Sequence, residues 1–182
     1  IKLKDNTKVI YLETPANPNL KIVDIQKISE LSHNKNSNIK VVVDNTFATP
    51  FCQKPLLLGA DIVVHSATKY LNGHGDVIAG FVVGSQEMIN DIRTVGLKDM
   101  TGAVLGPNEA FLIIRGLKTF EIRMQKHCEN AMKVAEFLEQ NEKVEKVYYP
   151  GLKTHVGYEV AVKQMQAFGG ILAFEVKGGL EA

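Results

Sequence analysis

The sequence predicts an α/β protein with a mostly parallel sheet, and three observations support this prediction. Short apolar runs rich in Val and Ile alternate with a helical pattern over the first 84 residues. Polar residues follow directly on the ends of these runs, which is where open α/β sheets bind ligands. The composition, with 45% hydrophobic and 23% charged residues, is that of a folded protein and excludes a disordered chain.

The first half of the chain is predicted to alternate between strands and one helix. The helix is expected to begin after Asp24, which is a good N-cap, because apolar residues then recur at helical spacing up to Leu31. The run at 39–43 is almost wholly β-branched, which is typical of a strand buried on both faces. The four predicted strands cover residues 9–12, 39–43, 61–65 and 77–84.

The second half is predicted to be mainly helical. One helix is expected to end at Gly96, since glycine often ends helices. Pro107 is expected to open a much longer helix that reaches about Gln140, with a kink at Gly116.

Strand character returns near the end of the chain, at 144–149 and 171–176. We therefore expect a large domain over residues 1–120 and the beginning of a smaller α/β domain over 121–182. Because the chain begins at Ile1 rather than at a methionine, we expect it to be a piece of a longer polypeptide.

Charge and cysteine content exclude several classes of protein. The chain carries 21 Lys and Arg against 20 Asp and Glu, so it has no electrostatic signature of binding to nucleic acid or to an anionic membrane. No apolar run approaches the roughly 18 residues of a membrane-spanning helix. Cys52 and Cys128 lack the spacing of a metal site or a disulfide scaffold, which favours a reducing, cytoplasmic location.

The segment Ser66-Ala67-Thr68-Lys69 carries the clearest chemical signal. A lysine beside the end of a strand is suited to form an imine with a carbonyl cofactor, and two hydroxyls beside it are suited to bind a phosphate. Asp44 ends the preceding strand, 25 residues before Lys69. If the two strands are close in the sheet, at about 4.8 Å per strand, Asp44 and Lys69 can flank one small ring. Asn17, which follows the first strand, is a candidate ligand of the ring's phenolic oxygen.

Other interpretations of these residues are less well supported. Ser66-Ala67-Thr68-Lys69 also matches the S-x-x-K motif of penicillin-recognising enzymes, but their S-D-N and K-T-G motifs do not occur. His74 and Asp76 have no third metal ligand at a sensible spacing. A dinucleotide-binding loop would need a third glycine where the chain has Ile78. A non-catalytic remnant of an enzyme remains an open alternative.

Several motifs together resemble the Cys/Met-metabolism family of pyridoxal-phosphate enzymes. They are Glu13–Pro18, Val43–Thr46, Ser66–His74, Arg115–Thr119 and Arg123-Met124, so the resemblance runs the whole length of the chain. It implies the aspartate-aminotransferase type of fold (fold type I), with helices on both faces of the sheet.

The resemblance also implies a cofactor and roles for the predicted site residues. The cofactor is pyridoxal 5'-phosphate, with Lys69 as the Schiff-base lysine and Asp44 as the partner of the pyridine nitrogen. Ser66 and Thr68 would then be phosphate ligands. The early third of the family, with its ring-stacking tyrosine, and its carboxylate-binding arginine are missing, so this chain alone is expected to be inactive.

Residues Val95–Gly102 are most similar to family members that act on methionine. There the pair Lys98-Asp99 would lie by the substrate pocket. The resemblance implies α,γ-elimination of L-methionine to methanethiol, ammonia and 2-oxobutanoate in sulfur amino acid metabolism. Cleavage of cystathionine and sulfhydrylation of an activated homoserine are the alternatives. The family also implies a homotetramer built from two dimers that share their active sites.

Overall fold

The computed structural model describes residues 3–179, and its centre is a four-stranded sheet. The order of the strands is β1-β2-β3-β4; the first three run parallel and β4 runs antiparallel to β3. The predicted mostly parallel sheet is therefore confirmed. The strands are β1 (Val9–Glu13), β2 (Lys40–Asp44), β3 (Ile62–Ser66) and β4 (Gly80–Gly84).

The strand predicted at 77–84 begins three residues late, at Gly80. The backbone of Ala79 bonds to Thr68 in the turn that follows β3, both as a donor and as an acceptor. These bonds hold residues 77–79 in a loop outside β4. The apolar run at 77–84 alone does not indicate that such bonds form.

The register of the sheet decides which side chains share a face. Glu13 lies opposite Asp44, and Asp44 lies opposite Val64. Because side chains alternate along a strand, Ser66 is on the same face as Val64 and Asp44. The other face carries Val43, which is fully buried.

Helix α1 (Ile25–Lys35) covers this second face and confirms the predicted cap. The carboxylate of Asp24 accepts a hydrogen bond from the backbone N–H of Lys27 at 2.9 Å. Ile25 is fully buried in a cluster with Val41 and Val43. The pattern is predicted to end at residues 32–34, and the helix ends one residue later, at Lys35.

Two short helices lie between β2 and β3, and two more follow β4. The first pair are α2 (Thr49–Cys52) and a 3₁₀ turn (Pro55–Leu58). The second pair are α3 (Gln86–Asp91) and a π-helix (Ile92–Thr101).

The helix predicted to end at Gly96 continues to Thr101. Gly96 does not have a positive φ, whereas Gly102 has a φ of +64°. The left-handed conformation at Gly102 ends the helix, and its N–H donates to the carbonyl of Leu97. The prediction chose the wrong one of two glycines.

Helices α4 (Pro107–Leu117) and α5 (Phe120–Glu139) replace the single long helix that the sequence predicts. Pro107 begins α4 as expected. The chain turns at Lys118 and Thr119, just after the predicted kink at Gly116.

The last part of the chain forms a two-stranded antiparallel sheet, with one helix between its two strands along the chain. Its elements are β5 (Val144–Tyr148), α6 (Tyr158–Gln164) and β6 (Ala173–Val176). The predicted domain boundary at residue 120 coincides with the start of α5 and stays a prediction. Residues 1–2 and 180–182, which the predicted domains include, lie outside the described residues.

The side chain of Gln164 connects α6 to the first half of the chain. Its amide accepts a hydrogen bond from the N–H of Ile25, donates to the carbonyl of Val23 and bonds to Gln53. Over residues 3–179, no helix is both long and apolar enough to cross a membrane.

Candidate active site

The carboxyl ends of β2 and β3 lie side by side and bring two of the predicted residues together. Asp44 ends β2 and Ser66 ends β3, on the same face of neighbouring parallel strands. The N–H of Asn45 donates to the carbonyl of Val64 at 2.9 Å, and the N–H of Ser66 donates to Oγ1 of Thr46 at 2.8 Å. The segment after β2 is therefore fixed to the end of β3.

The carboxylate of Asp44 is half-buried and held by two donors. Its Oδ1 accepts from the N–H of Thr46 at 3.0 Å, and its Oδ2 accepts from the hydroxyl of Tyr11 at 3.3 Å. The pKa of the Tyr11 phenol is raised, first by partial burial and then by the charge of Asp44. Because an ionised carboxylate has about four lone-pair sites, Asp44 keeps acceptor capacity for a ligand.

Lys69 lies on the tight turn that follows β3. Its N–H donates to the carbonyl of Ser66, and its own carbonyl accepts from the N–H of Gly73 at 2.8 Å. The side chain is exposed and lines a cleft of about 290 Å³. The cleft is also lined by Phe47, Tyr70, Gly73, Gly75, His127 and Ile171.

The two hydroxyls beside Lys69 differ in their freedom to bind a phosphate. Among the described hydrogen bonds, none uses the side chain of Ser66, which is half-buried. The hydroxyl of Thr68 donates to the carbonyl of Ala79 at 3.3 Å and accepts from its N–H at 3.1 Å. Ser66 can therefore donate to a phosphate as it stands, whereas Thr68 would have to redirect its hydrogen.

This set of groups fits pyridoxal phosphate. A carboxylate suits the ring nitrogen, a free hydroxyl suits the phosphate, and an exposed amine suits the aldehyde carbon. All three lie at one edge of the sheet or on the turn directly after it. Asn17 lies exposed in the turn that follows β1, so it is at the same edge.

A comparison with known protein families agrees with this chemistry. The model of the Cys/Met metabolism PLP-dependent enzymes matches residues 1–182. The chain belongs to this family. Pyridoxal phosphate is therefore the cofactor expected of the site, and the resemblance that the motifs indicated is confirmed.

Individual relatives in the family are similar over almost all of this chain. It is 69% identical over 180 residues to L-methionine gamma-lyase of Fusobacterium nucleatum subsp. nucleatum. The aligned region covers 99% of this chain and 45% of that protein. The chain is 54% identical over 174 residues to cystathionine beta-lyase of Lactococcus lactis subsp. cremoris, covering 95% of the chain and 45% of that protein.

A solved structure confirms the fold. The crystal structure of metB from Corynebacterium glutamicum superimposes with a TM-score of 0.92 at 49% identity, over 98% of this chain and 46% of that one. The predicted fold class is therefore correct. The chain spans about half the length of the relatives it matches.

The structure does not connect the predicted substrate residues to the cofactor residues. Lys98 and Asp99 lie on the exposed π-helix and pair with each other, with 3.8 Å between Nζ and Oδ1. No described hydrogen bond or ion pair links them to Asp44 or Lys69. Their role beside the substrate pocket stays a prediction.

His74 and Asp76 support the turn after Lys69. Nδ1 of His74 donates to the carbonyl of Asn72 at 2.7 Å, and Oδ1 of Asp76 accepts from the Asn72 amide at 2.7 Å. Asn72 is fully buried, so these contacts fix the last part of the turn.

The sequence assigned no role to three residues that shape the site, although Thr46 and Arg123 lie in motifs that carried the family resemblance. Tyr11 and Thr46 orient Asp44. Arg123 bonds to the backbone of the turn at 67–73 that carries Lys69, called the lysine turn below. Alternation along β1 and β2 could have found Tyr11, since it lies opposite Val42 and so shares a face with Asp44. No local pattern indicates the role of Arg123, because its partner Tyr70 lies 53 residues away.

Proposed function

We propose that this chain is the cofactor-binding part of a longer pyridoxal-phosphate enzyme that eliminates methanethiol from L-methionine. One observation carries the proposal: Asp44 and Ser66 end neighbouring parallel strands on one face, and Lys69 follows on the next turn. The similarity to proteins named L-methionine gamma-lyase supports this substrate.

When bound, pyridoxal phosphate supplies a ring that accepts the electrons of a broken Cα–H bond. Asp44 would keep the ring nitrogen protonated, and Tyr11 and Thr46 hold its carboxylate in one orientation for this task. Ser66 would donate to the phosphate, Thr68 would join it once its hydrogen leaves Ala79, and Asn17 would bond the phenolic oxygen.

Lys69 would both hold the cofactor's carbonyl carbon and move protons. With its amine free, Lys69 would be the base placed to take the proton from the substrate's Cα. As a general acid it would return a proton later in the same cycle. Removal of a Cβ proton would let the γ-thiolate leave as methanethiol. One water would then hydrolyse the released 2-aminobut-2-enoate to ammonia and 2-oxobutanoate.

The cofactor residues do not determine the choice of substrate, because all reactions of the family share them. One relative is named cystathionine beta-lyase, which favours cystathionine as the alternative substrate. A Lys98→Met variant separates the two. We expect it to lower the ratio of methionine to cystathionine turnover, and an unchanged ratio would remove Lys98 from substrate selection.

The assembly and location of the longer protein are also part of the proposal. The homotetramer expected from the family is supported by apolar side chains left exposed here, among them Leu57, Ile78 and Val104. The two free thiols support a cytoplasmic enzyme.

Turnover by the longer polypeptide, loaded with pyridoxal phosphate, tests the proposed function. We expect methanethiol and 2-oxobutanoate from L-methionine in equal amounts, and no activity from the 182-residue chain alone. If the longer protein binds the cofactor but acts on neither methionine nor cystathionine, it is a non-catalytic remnant or an enzyme of another specificity.

A further inference from the structure

We propose that Arg123 is a positioning residue that fixes the backbone of the turn carrying Lys69. The inference rests on the proposed function, because it gives Arg123 its importance through Lys69. It concerns a residue near the start of α5, far along the chain from the strand ends that form the site.

The guanidinium of Arg123 joins the turn that carries Lys69 to the connection between α4 and α5. Nη1 donates to the carbonyl of Tyr70, the residue directly after Lys69, at 3.0 Å. Nη2 donates to the carbonyl of Gly116 near the end of α4 at 3.0 Å, and Nε donates to the hydroxyl of Thr119 at 3.0 Å. Each of its three nitrogens therefore has a partner.

Two glycines show how closely these segments approach. A Cβ on Gly73 would lie 2.0 Å from Nη1 of Arg123, and Gly73 also has a φ of +77° that favours glycine. A Cβ on Gly116 would lie 2.2 Å from the carbonyl oxygen of Asn72. The lysine turn is thus in backbone contact with α4 on one side and in contact with the guanidinium on the other.

Arg123 is not placed there for a salt bridge. Within residues 3–179, no carboxylate pairs with its guanidinium, and its three nitrogens bond to neutral oxygens. Hydrogen bonds from a charged donor are stronger than neutral ones. Its half-buried position lowers the pKa of the guanidinium, although arginine stays charged in proteins.

Only arginine can make this arrangement. A lysine has a single nitrogen on a flexible stem and cannot bond to Tyr70, Gly116 and Thr119 in three fixed directions. An Arg123→Lys change would therefore keep the charge but release the turn. The Lys69 amine would then be less well placed, and misplacement by about 1 Å costs roughly 100-fold in rate.

The test compares variants of the longer, cofactor-loaded polypeptide. Arg123→Lys removes the three-way contact. Thr119→Val removes one acceptor while keeping the shape, and Thr119→Ser restores it. Lys126→Gln is the matched control, since Lys126 is on the same helix but is exposed and pairs only with Glu129.

Three readouts are measured for each variant: kcat and KM separately, the pH midpoint of the visible absorbance of the bound cofactor, and the peptide labelled by borohydride. For Arg123→Lys we expect kcat to fall about 10- to 100-fold, KM to change far less, and the pH midpoint to shift. Thr119→Val should shift the same quantities less, and Thr119→Ser and Lys126→Gln should match the unaltered enzyme.

An Arg123→Lys enzyme with unaltered kcat and pH midpoint would overturn the proposal. If that variant does not fold, Thr119→Val decides, and an unshifted pH midpoint in a folded Thr119→Val enzyme overturns it as well. Failure of the proposed function gives a different result, because the unaltered protein would then either not be labelled at Lys69 or be labelled and not act on methionine.

Discussion

At the residue scale, the site depends on side chains that orient one another. The carboxylate of Asp44 is aligned by Tyr11 and Thr46, and the backbone N–H of Ser66 is held by the same threonine. Thr46 therefore connects the two strand ends that carry the predicted cofactor ligands.

An Asp44→Asn substitution tests the charge at this position. Asparagine keeps the shape and can still accept from the N–H of Thr46, but it cannot keep the ring nitrogen protonated. We expect kcat/KM for methionine in the longer polypeptide to fall about 100-fold or more, as for other preorganised charges in active sites. Tyr11→Phe, which removes only one of the two donors, should have a much smaller effect. Equal activity of Asp44→Asn and the unaltered enzyme would exclude the proposed role.

Tyr149 is a residue whose hydrogen bond should matter for stability alone. It is fully buried and its hydroxyl donates to the carbonyl of Gly169 at 2.9 Å. Tyr149→Phe leaves that carbonyl without this donor, so we expect a loss of about 1–3 kcal/mol in the free energy of unfolding. Urea unfolding measures this loss. Tyr148→Phe is the control, since that hydroxyl bonds to Glu175 at the surface, and an equal loss in both variants would contradict the account.

The sequence was sufficient to place Asp44 and Ser66 at strand ends and Lys69 just after one, because the strands are recognisable; the roles of the three residues stay predictions. It was insufficient for Arg123 and Tyr11 because their partners lie on other elements. Whether a side chain reaches a distant backbone carbonyl depends on packing, which no local pattern encodes.

At the scale of elements, helices α2 and α5 meet at two thiols. The sulfur atoms of Cys52 and Cys128 are 3.7 Å apart. The bond from the Cys52 thiol lowers the pKa of Cys128 to about 7, against the effect of burial and with help from the backbone of Gly169. The same contact and burial raise the pKa of Cys52.

The pH dependence of alkylation tests this pair. We expect the rate of reaction of Cys128 with iodoacetamide to rise with pH and to be half-maximal near pH 7. In Cys52→Ala the donor is lost, so the midpoint should move to higher pH. Peptide mass spectrometry at a series of pH values follows the label, and an identical midpoint in Cys52→Ala would show that Cys52 does not stabilise the thiolate.

A second contact between elements joins α1 to the start of β2 and β3. Asp61 accepts from the N–H of Val41 at 2.8 Å and bonds to His33 at 2.9 Å, with Lys40 at 3.6 Å. Burial alone would raise the pKa of Asp61, but the bonds from Val41 and His33 and the charge of Lys40 lower it overall. A lowered carboxyl pKa stabilises the fold above the unfolded value of about 3.9, and this stabilisation is lost as the pH falls through the folded value.

Asp61→Asn should therefore lower the free energy of unfolding at pH 7 by about 1.5–3 kcal/mol, as expected for bonds to a charged group. The difference from the unaltered protein should shrink in acid. Unfolding in urea at pH 7 and at pH 3 measures both effects. Asp5→Asn, which removes an exposed partner of Lys35, should change little, and a constant difference at both pH values would contradict the assignment.

Elements with local boundary signals were the ones predicted best. Asp24 caps α1, and Pro107 begins α4. The continuation of the helix through Gly96 was not predictable, because a glycine ends a helix only where the chain adopts a positive φ, as at Gly102. The late start of β4 likewise depends on bonds to a remote turn.

At the scale of the whole molecule, hydrogen bonds link the first and second halves of the chain, but strand edges and many apolar side chains are exposed to solvent. Gln164 bonds to three residues of the first half. Within residues 3–179, the outer strands β1 and β4 each have one partner strand only. Large apolar side chains are strongly exposed, including Leu57, Ile78, Met100, Val104 and Ile122.

The 182-residue chain should therefore self-associate when it is produced alone. Unpaired strand edges and exposed apolar patches both promote association. Sedimentation velocity over a range of concentrations should show species that grow with concentration, whereas the longer polypeptide should give one defined assembly. A monomer of the 182-residue chain that melts in one cooperative transition would contradict this expectation.

Borohydride reduction of the longer polypeptide with its cofactor, followed by peptide mapping, tests the central claim most directly. Reduction makes the bond between the cofactor and its lysine permanent, so the labelled peptide identifies that lysine. The account predicts a single labelled peptide that contains Lys69, and no label after Lys69→Ala. A label on any other lysine, or an unchanged label in Lys69→Ala, would contradict it.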